Sequence, residues 1–137
     1  MKRGLLGSLV AVVAASTLSG CFVLVERADS PRILEADAWC ARDGWWEIEA
    51  DVSHPDGDRD VDFVWVEVTE VWWDFWGENV TYTDLGDIDL EYAGDGLWYA
   101  EVPSEFGFLD CGWPYDYDLR FVAEDREGDT DSYTITR

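Results

Sequence analysis

From Arg32 onward the chain alternates apolar and polar residues with a period of two, broken at short intervals by Gly, Pro and Asp. A two-residue period puts successive side chains on opposite faces of a strand, whereas a helix needs a period near 3.6. Ile33 to Cys40 reads as a first strand. A second starts at Gly44, with Trp46, Ile48, Ala50 and Val52 on one face and Glu47, Glu49 and Asp51 on the other. Pro55-Asp56-Gly57-Asp58 is a turn signal, and Val61 to Val71 forms a third strand with Val64, Val66 and Val68 on one side. Phe63, Trp65 and Glu67 share its opposite side. The stretch Trp72 to Gly86 is aromatic at its start and carries a short edge strand near Val80 to Thr83. Ile88 to Tyr92 and Leu97 to Val102 flank the hairpin turn Ala93-Gly94-Asp95-Gly96. Tyr115, Tyr117, Leu119, Phe121 and Ala123 then alternate with Asp116, Asp118, Arg120 and Glu124, and the last strand carries Tyr133 and Ile135 inward. About seven short strands without a helix predict an all-β fold, a single antiparallel β-sandwich over residues 32–137.

Charge narrows the partners. Asp and Glu number 31 against 9 Lys and Arg, a formal net charge of −22 over 137 residues. Lys2 and Arg3 lie in a leader that holds no acid, so the chain from residue 21 carries −24 and, because Lys2 is the sole lysine, arginine alone. Such a surface repels phosphate backbones and anionic headgroups, which excludes nucleic acid as a partner. Apolar residues make up 47% and Trp numbers nine, so the acidity is not that of a disordered tail. Carboxylates in this excess repel one another in dilute salt, which predicts a salt-stabilised fold or a saline habitat. A genome that favours Arg and Asp would leave the same composition.

The N-terminus supplies an address. Lys2-Arg3 precedes an uncharged stretch from Gly4 to Val25, apolar through Leu5, Leu6, Leu9, Val10, Val12 and Val13. This is the layout of an export signal. The stretch contains Leu18-Ser19-Gly20-Cys21, which resembles the lipobox of bacterial lipoproteins. The resemblance implies a signal peptide over 1–20 removed before Cys21, a diacylglycerol thioether and N-acylation (typically palmitate) on Cys21, and a lipidated tether over 21–31. Two or more acyl chains give stable anchoring. Phe22, where that family's inner-membrane proteins carry Asp, leans toward the outer membrane, with the domain periplasmic or surface-exposed. An ordinary signal peptide cut near Ala15-Ser16 and an uncleaved span are the competing readings. With Cys21 lipidated, Cys40 and Cys111 remain as one pair, and an oxidising compartment favours a disulfide bond. A two-cysteine metal site is the rival, with only His54 to assist it.

The run Tyr117-x-Leu119-x-Phe121-x-Ala123-x-Asp125-x-x-Gly128 resembles the penultimate strand and turn of immunoglobulin-like and fibronectin type III-like domains. Ala50 to Gly57, followed by a Val-rich strand, is similar to the turn between their second and third strands. The resemblance implies an immunoglobulin-like sandwich over roughly Ile33 to Thr136. Two features depart from antibody-type domains: Ile48 and Phe121 stand near the central disulfide positions, and Trp65 opposes the parity of Val64, Val66 and Val68.

That fold implies no particular function, so side chains must supply one. In such sandwiches the loop between strands two and three and the last hairpin turn share an end. The first loop offers Asp56, Asp58, Asp60 and Asp62, and the second Asp125, Glu127, Asp129 and Asp131. Convergent carboxylates bind calcium, so Asp56, Asp58, Asp60, Asp125 and Asp129 form a candidate calcium site; Asp and Gly as plain turn formers explain the same residues. Trp72, Trp73, Phe75 and Trp76 form a candidate binding patch for a sugar ring or a protein, unless they cover the ends of a small core. His54 has no nucleophile motif beside it and is expected to shape its turn, so no enzyme and no catalytic residue is expected. The expected function is a lipid-anchored, extracytoplasmic, non-catalytic binding or scaffold domain, its partners the membrane through the anchor and an envelope protein or glycan. A calcium-dependent glycan-binding or adhesion module is the alternative.

Overall fold

A computed structural model describes residues 29–41, 44–105, 108–112 and 116–137. The expected signal peptide 1–20, Cys21, most of the expected 21–31 tether and Tyr115 lie outside the described residues. The described chain forms eight strands: β1 (Arg32–Cys40), β2 (Trp45–Ser53), β3 (Val61–Trp73), β4 (Val80–Asp89), β5 (Glu91–Gly94), β6 (Leu97–Pro103), β7 (Asp116–Asp125) and β8 (Thr130–Thr136). They make two four-stranded antiparallel sheets, ordered β1-β2-β6-β5 and β4-β3-β7-β8. The fold is the expected all-β sandwich.

The alternation works as read. Trp46, Ile48, Ala50 and Val52 of β2 face Val64, Val66 and Val68 of β3 and Tyr117, Leu119, Phe121 and Ala123 of β7, all buried in one core. Trp65 lies on the other face of its sheet, opposite Val122. The β5–β6 hairpin turns at Asp95 and Gly96, both at positive φ, the backbone of a primed two-residue turn. Gly96 is required twice over, since a Cβ there would sit 2.8 Å from the Val52 carbonyl.

Three expectations change. Ile88 to Tyr92 is not one strand: β4 ends at Asp89, Leu90 dips into the core, and Glu91 begins β5 in the other sheet. The Leu90 amide donates to the Val64 carbonyl at 2.9 Å as the chain crosses. The edge strand expected at Val80 to Thr83 runs on to Asp89, because a bulge at Leu85 absorbs one residue and restores the register. Tyr133 is 45% exposed rather than inward. It shares a face with Phe121, its cross-strand partner, but β8 is an edge strand, with no further strand beyond it to flank the ring among the described residues.

Cys40 and Cys111 are joined by a disulfide, with Cα atoms 5.8 Å apart across a sequence separation of 71. The bond ties the end of β1 to the segment before β7, where Leu109 is fully buried and the Asp110 amide donates to the Tyr117 hydroxyl at 2.7 Å. On the β1–β8 side, Arg137 reaches across the sheets to the Asp37 carboxylate and donates to the Ala38 carbonyl at 3.0 Å. These contacts close the sandwich at its ends, where strand pairing cannot.

Candidate functional site

The strand order sets two poles. β1 starts where β2 ends, with Arg32 opposite Ser53, and β3 starts beside the end of β7, with Val61 opposite Asp125. The chain therefore enters the sandwich at the pole that holds the β2–β3 and β7–β8 turns. β3 then runs for 13 residues to Trp73, about 40 Å at the usual rise. The β3–β4 hairpin tip lies at the far pole.

At the entry pole the two acidic turns meet as expected. Arg126 donates its amide to the Asp60 carbonyl at 3.1 Å, and His54 Nε2 lies 3.3 Å from Asp125 Oδ2. Both side chains are buried, His54 at 4% and Asp125 at 3% exposure. Asp125 Oδ1 accepts from the amides of Glu127 and Asp129, each at 2.9 Å. Burial alone would raise the Asp125 pKa, but the Asp129 amide, the His54 ring and the Glu127 amide outweigh it and hold the carboxyl below its ordinary value. His54 Nδ1 accepts the Asp56 amide at 3.1 Å, which leaves its ring proton on Nε2 to be donated to Asp125. The sole histidine is thus a latch between two turns 71 residues apart, a role beyond shaping its own turn.

An acidic pocket opens here, lined by Asp29, His54, Asp56, Asp60, Asp125, Arg126 and Glu127. Ligand atoms of His54, Asp56 and Asp60 lie within 4.8 Å of one another. Both His54 nitrogens and both Asp125 oxygens are already engaged. Asp29, Asp56, Asp60 and Glu127 are the pocket's other carboxylates, and of these Asp56 and Asp60 are the ones grouped with His54, where Ca²⁺ takes six to eight oxygens. Asp58 accepts from the Tyr92 hydroxyl at 3.1 Å, and Asp129 supplies its amide to Asp125. Of the five carboxylates expected on calcium, Asp56, Asp60 and Asp125 line the pocket, and Asp58 and Asp129 do not.

At the far pole, among the described residues, β7 pairs with β3 as far as Val71, and Trp72 and Trp73 pair with β4. The loop Asp74 to Asn79 is strongly ordered by one side chain. Asp74 Oδ1 accepts from the amides of Glu78 at 2.9 Å and Trp76 at 3.2 Å, and Oδ2 accepts from Asn79 Nδ2 at 2.6 Å. The Asn79 side chain first, then the Glu78 amide, hold the Asp74 carboxyl below its ordinary pKa. Gly77, at φ +69, lets the chain reverse and donates its amide to the Asp74 carbonyl at 3.0 Å. The product is a hydrogen-bonded loop that holds Phe75 at 91% and Trp76 at 79% exposure, their rings perpendicular at 5.2 Å.

Trp72 and Trp73 are exposed too, and as consecutive strand residues they leave by opposite faces. Tyr82, opposite Val71, adds a fifth exposed ring. The four patch residues read from the sequence all lie exposed on the β3–β4 hairpin, with Phe75 and Trp76 in ring contact, and Asp74, Asn79 and Tyr82 are neighbours that pattern reasoning missed. The signal was present in Asp74-x-x-Gly77-x-Asn79, a turn built on a side chain. The geometry is a finger ringed by aromatics and not a flat platform. It suits insertion into a cleft better than stacking on the face of a sugar ring.

The excess charge is largely unrelieved. Arg120 pairs with Glu67 at 2.8 Å and Arg137 with Asp37, both on exposed positions where such pairs contribute little. Thermal unfolding should therefore shift upward by roughly 5 °C, about 1 kcal/mol, between 0.05 and 1 M NaCl, as the screening length falls toward about 3 Å. A melting temperature independent of NaCl would show that the carboxylates do not strain the fold.

No protein-family model, curated protein or solved structure matches this chain.

Proposed function

We propose that the protein is a lipid-anchored, extracytoplasmic, non-catalytic immunoglobulin-like module that presents the β3–β4 hairpin tip to a protein partner in the cell envelope. The observation that carries this reading is the tip itself: Phe75 and Trp76 stand in solvent on a loop ordered by Asp74. Holding large apolar rings in water gives a monomer no stability, whereas rigid aromatic side chains are the usual anchors of interfaces. The order β1-β2-β6-β5 over β4-β3-β7-β8 supports the immunoglobulin-like assignment. The lipobox Leu18-Ser19-Gly20-Cys21 and the Cys40–Cys111 disulfide support the anchor and the compartment.

Polarity connects anchor to tip. An acylated Cys21 would hold the entry pole toward the membrane, which leaves the aromatic finger about 40 Å away, pointing outward. This also separates the acidic pocket from the aromatic patch. A calcium-dependent sugar site built from both would have to span the length of the domain.

The test is a photo-crosslinking residue at position 76 of the full-length protein in cells, with one at Thr134 as control. Position 76 should crosslink to a protein and Thr134 should not, and Cys21→Ser should abolish both fatty-acid labelling and that crosslink. The double substitution Phe75→Ala, Trp76→Ala should lose the partner while unfolding within about 0.5 kcal/mol of the wild type, as expected of exposed side chains. Equal crosslinking from both positions sinks the tip reading. Fatty-acid labelling that survives Cys21→Ser sinks the anchor.

A further inference from the structure

We infer that the partner surface received by the hairpin tip is cationic, a protein segment whose arginine side chains lie against the rings of Trp72, Trp73, Phe75 and Trp76. The inference rests on the tip being the contact surface and adds the chemistry of what meets it. The sixty residues from Asp60 to Leu119 contain sixteen Asp and Glu and no Lys, Arg or His. All of β3 and β4 falls in that stretch, so the finger and both its strands offer no positive charge of their own. Glu70, Asp74, Glu78 and Asp84 stand on the hairpin among the aromatic rings. The nearest cation on the adjacent strand, Arg120, is held by Glu67.

Aromatic faces bordered by carboxylates are the environment that a guanidinium prefers. Trp is the strongest cation–π acceptor, and a planar guanidinium stacks where an ammonium only sits. The surrounding negative field would steer a cationic partner to the tip and repel an acidic one. A lipid bilayer suits the same rings less well. Asp74 would shed its charge less readily than an ordinary carboxyl on entering an apolar phase, because the hydrogen bonds to its oxygens favour the ionised form.

The experiment titrates the full chain, in a zwitterionic detergent at 150 mM salt, with an octa-arginine peptide, and follows tryptophan fluorescence. Octa-lysine, octa-glutamate and phosphatidylcholine vesicles serve as comparisons. Octa-arginine should bind saturably and more tightly than octa-lysine, and octa-glutamate should not bind. Phe75→Ala with Trp76→Ala should weaken octa-arginine by about tenfold, the scale of lost cation–π contacts. Equal affinity in that variant would reduce the effect to bulk charge and overturn the inference. So would absence of octa-arginine binding, or a blue shift on vesicles with no response to the peptide. A crosslink from position 76 to a protein, combined with no octa-arginine binding, would leave the tip reading standing and remove only the cationic partner. No crosslink from position 76 would remove both.

Discussion

Replacing Cys40 and Cys111 together by serine should cost about 4 kcal/mol, the chain-entropy value for a loop of this length. For a domain of this size that is a fall in melting temperature of roughly 15 °C. On that model the effect is large because the bond closes a long loop in the unfolded chain. Leu109 is fully buried there, yet it sits in a loop with no strand ladder to hold it. Among the described residues, the Asp110 amide on the Tyr117 hydroxyl, the Cys111 amide on Ser104 Oγ at 2.8 Å and the Glu105 amide on the Leu109 carbonyl at 3.0 Å are contacts that remain after reduction. Calorimetry of the double variant, and of the wild type with and without reductant, provides the measurement. A loss under about 1 kcal/mol would mean that those contacts and Leu109 hold the end of the sandwich unaided. The substitution should also report on function, because β1 ends and β3 ends at the same pole. Loosening that pole without unfolding the sandwich should lower tip-dependent crosslinking more than it lowers the β-sheet signal.

Much of this organisation was readable before any coordinates, and the unreadable part has physical causes. Strands β2, β3 and β7 declare themselves because one face of each is buried, so Val64, Val66 and Val68 must alternate with polar neighbours. The cysteine pair was legible by arithmetic once Cys21 is assigned to lipid. Period-two patterning says which face a residue takes but not which sheet, so the crossing at Leu90 passed as an uninterrupted strand. It also says nothing of coverage, and Tyr133 has inward parity yet is exposed on an edge strand. The meeting of the two acidic turns followed from the expected fold, but the roles inside it did not. His54 beside Pro55 looks like local turn chemistry, and its true partner, Asp125, lies 71 positions on. For the finger, composition supplied the rings, while their arrangement depends on Asp74 hydrogen bonds that no hydrophobic pattern encodes.

That concealed latch leads to the second large effect. Asp125→Asn is nearly isosteric, so a purely steric role predicts almost no change. The hydrogen-bond directions predict otherwise. Oδ1 accepts from two amides, which requires the amide oxygen of Asn to stay in that position and turns its NH₂ toward His54. His54 cannot adapt, because Nδ1 is occupied as the acceptor of the Asp56 amide and Nε2 must carry the proton. Two donors would then face each other in a buried space, and the variant should lose about 2 kcal/mol or more, the cost of an unsatisfied buried polar group. His54→Ala should cost a similar amount, and the double variant should cost clearly less than the two losses added, because both break one link. Acid titration supplies an independent check. The folded Asp125 pKa lies below its ordinary value of 3.8, so the latch contributes fully above that value and is lost as pH falls through the lower, folded one. The wild type should therefore lose its stability advantage over Asp125→Asn only below about pH 3.8, a portion of the acid transition that the variant lacks. A variant as stable as the wild type at neutral pH, with an unchanged acid limb, would show that the two turns are held together by their backbone contacts, Arg126 to Asp60 foremost, and that the only histidine of the chain is incidental to them.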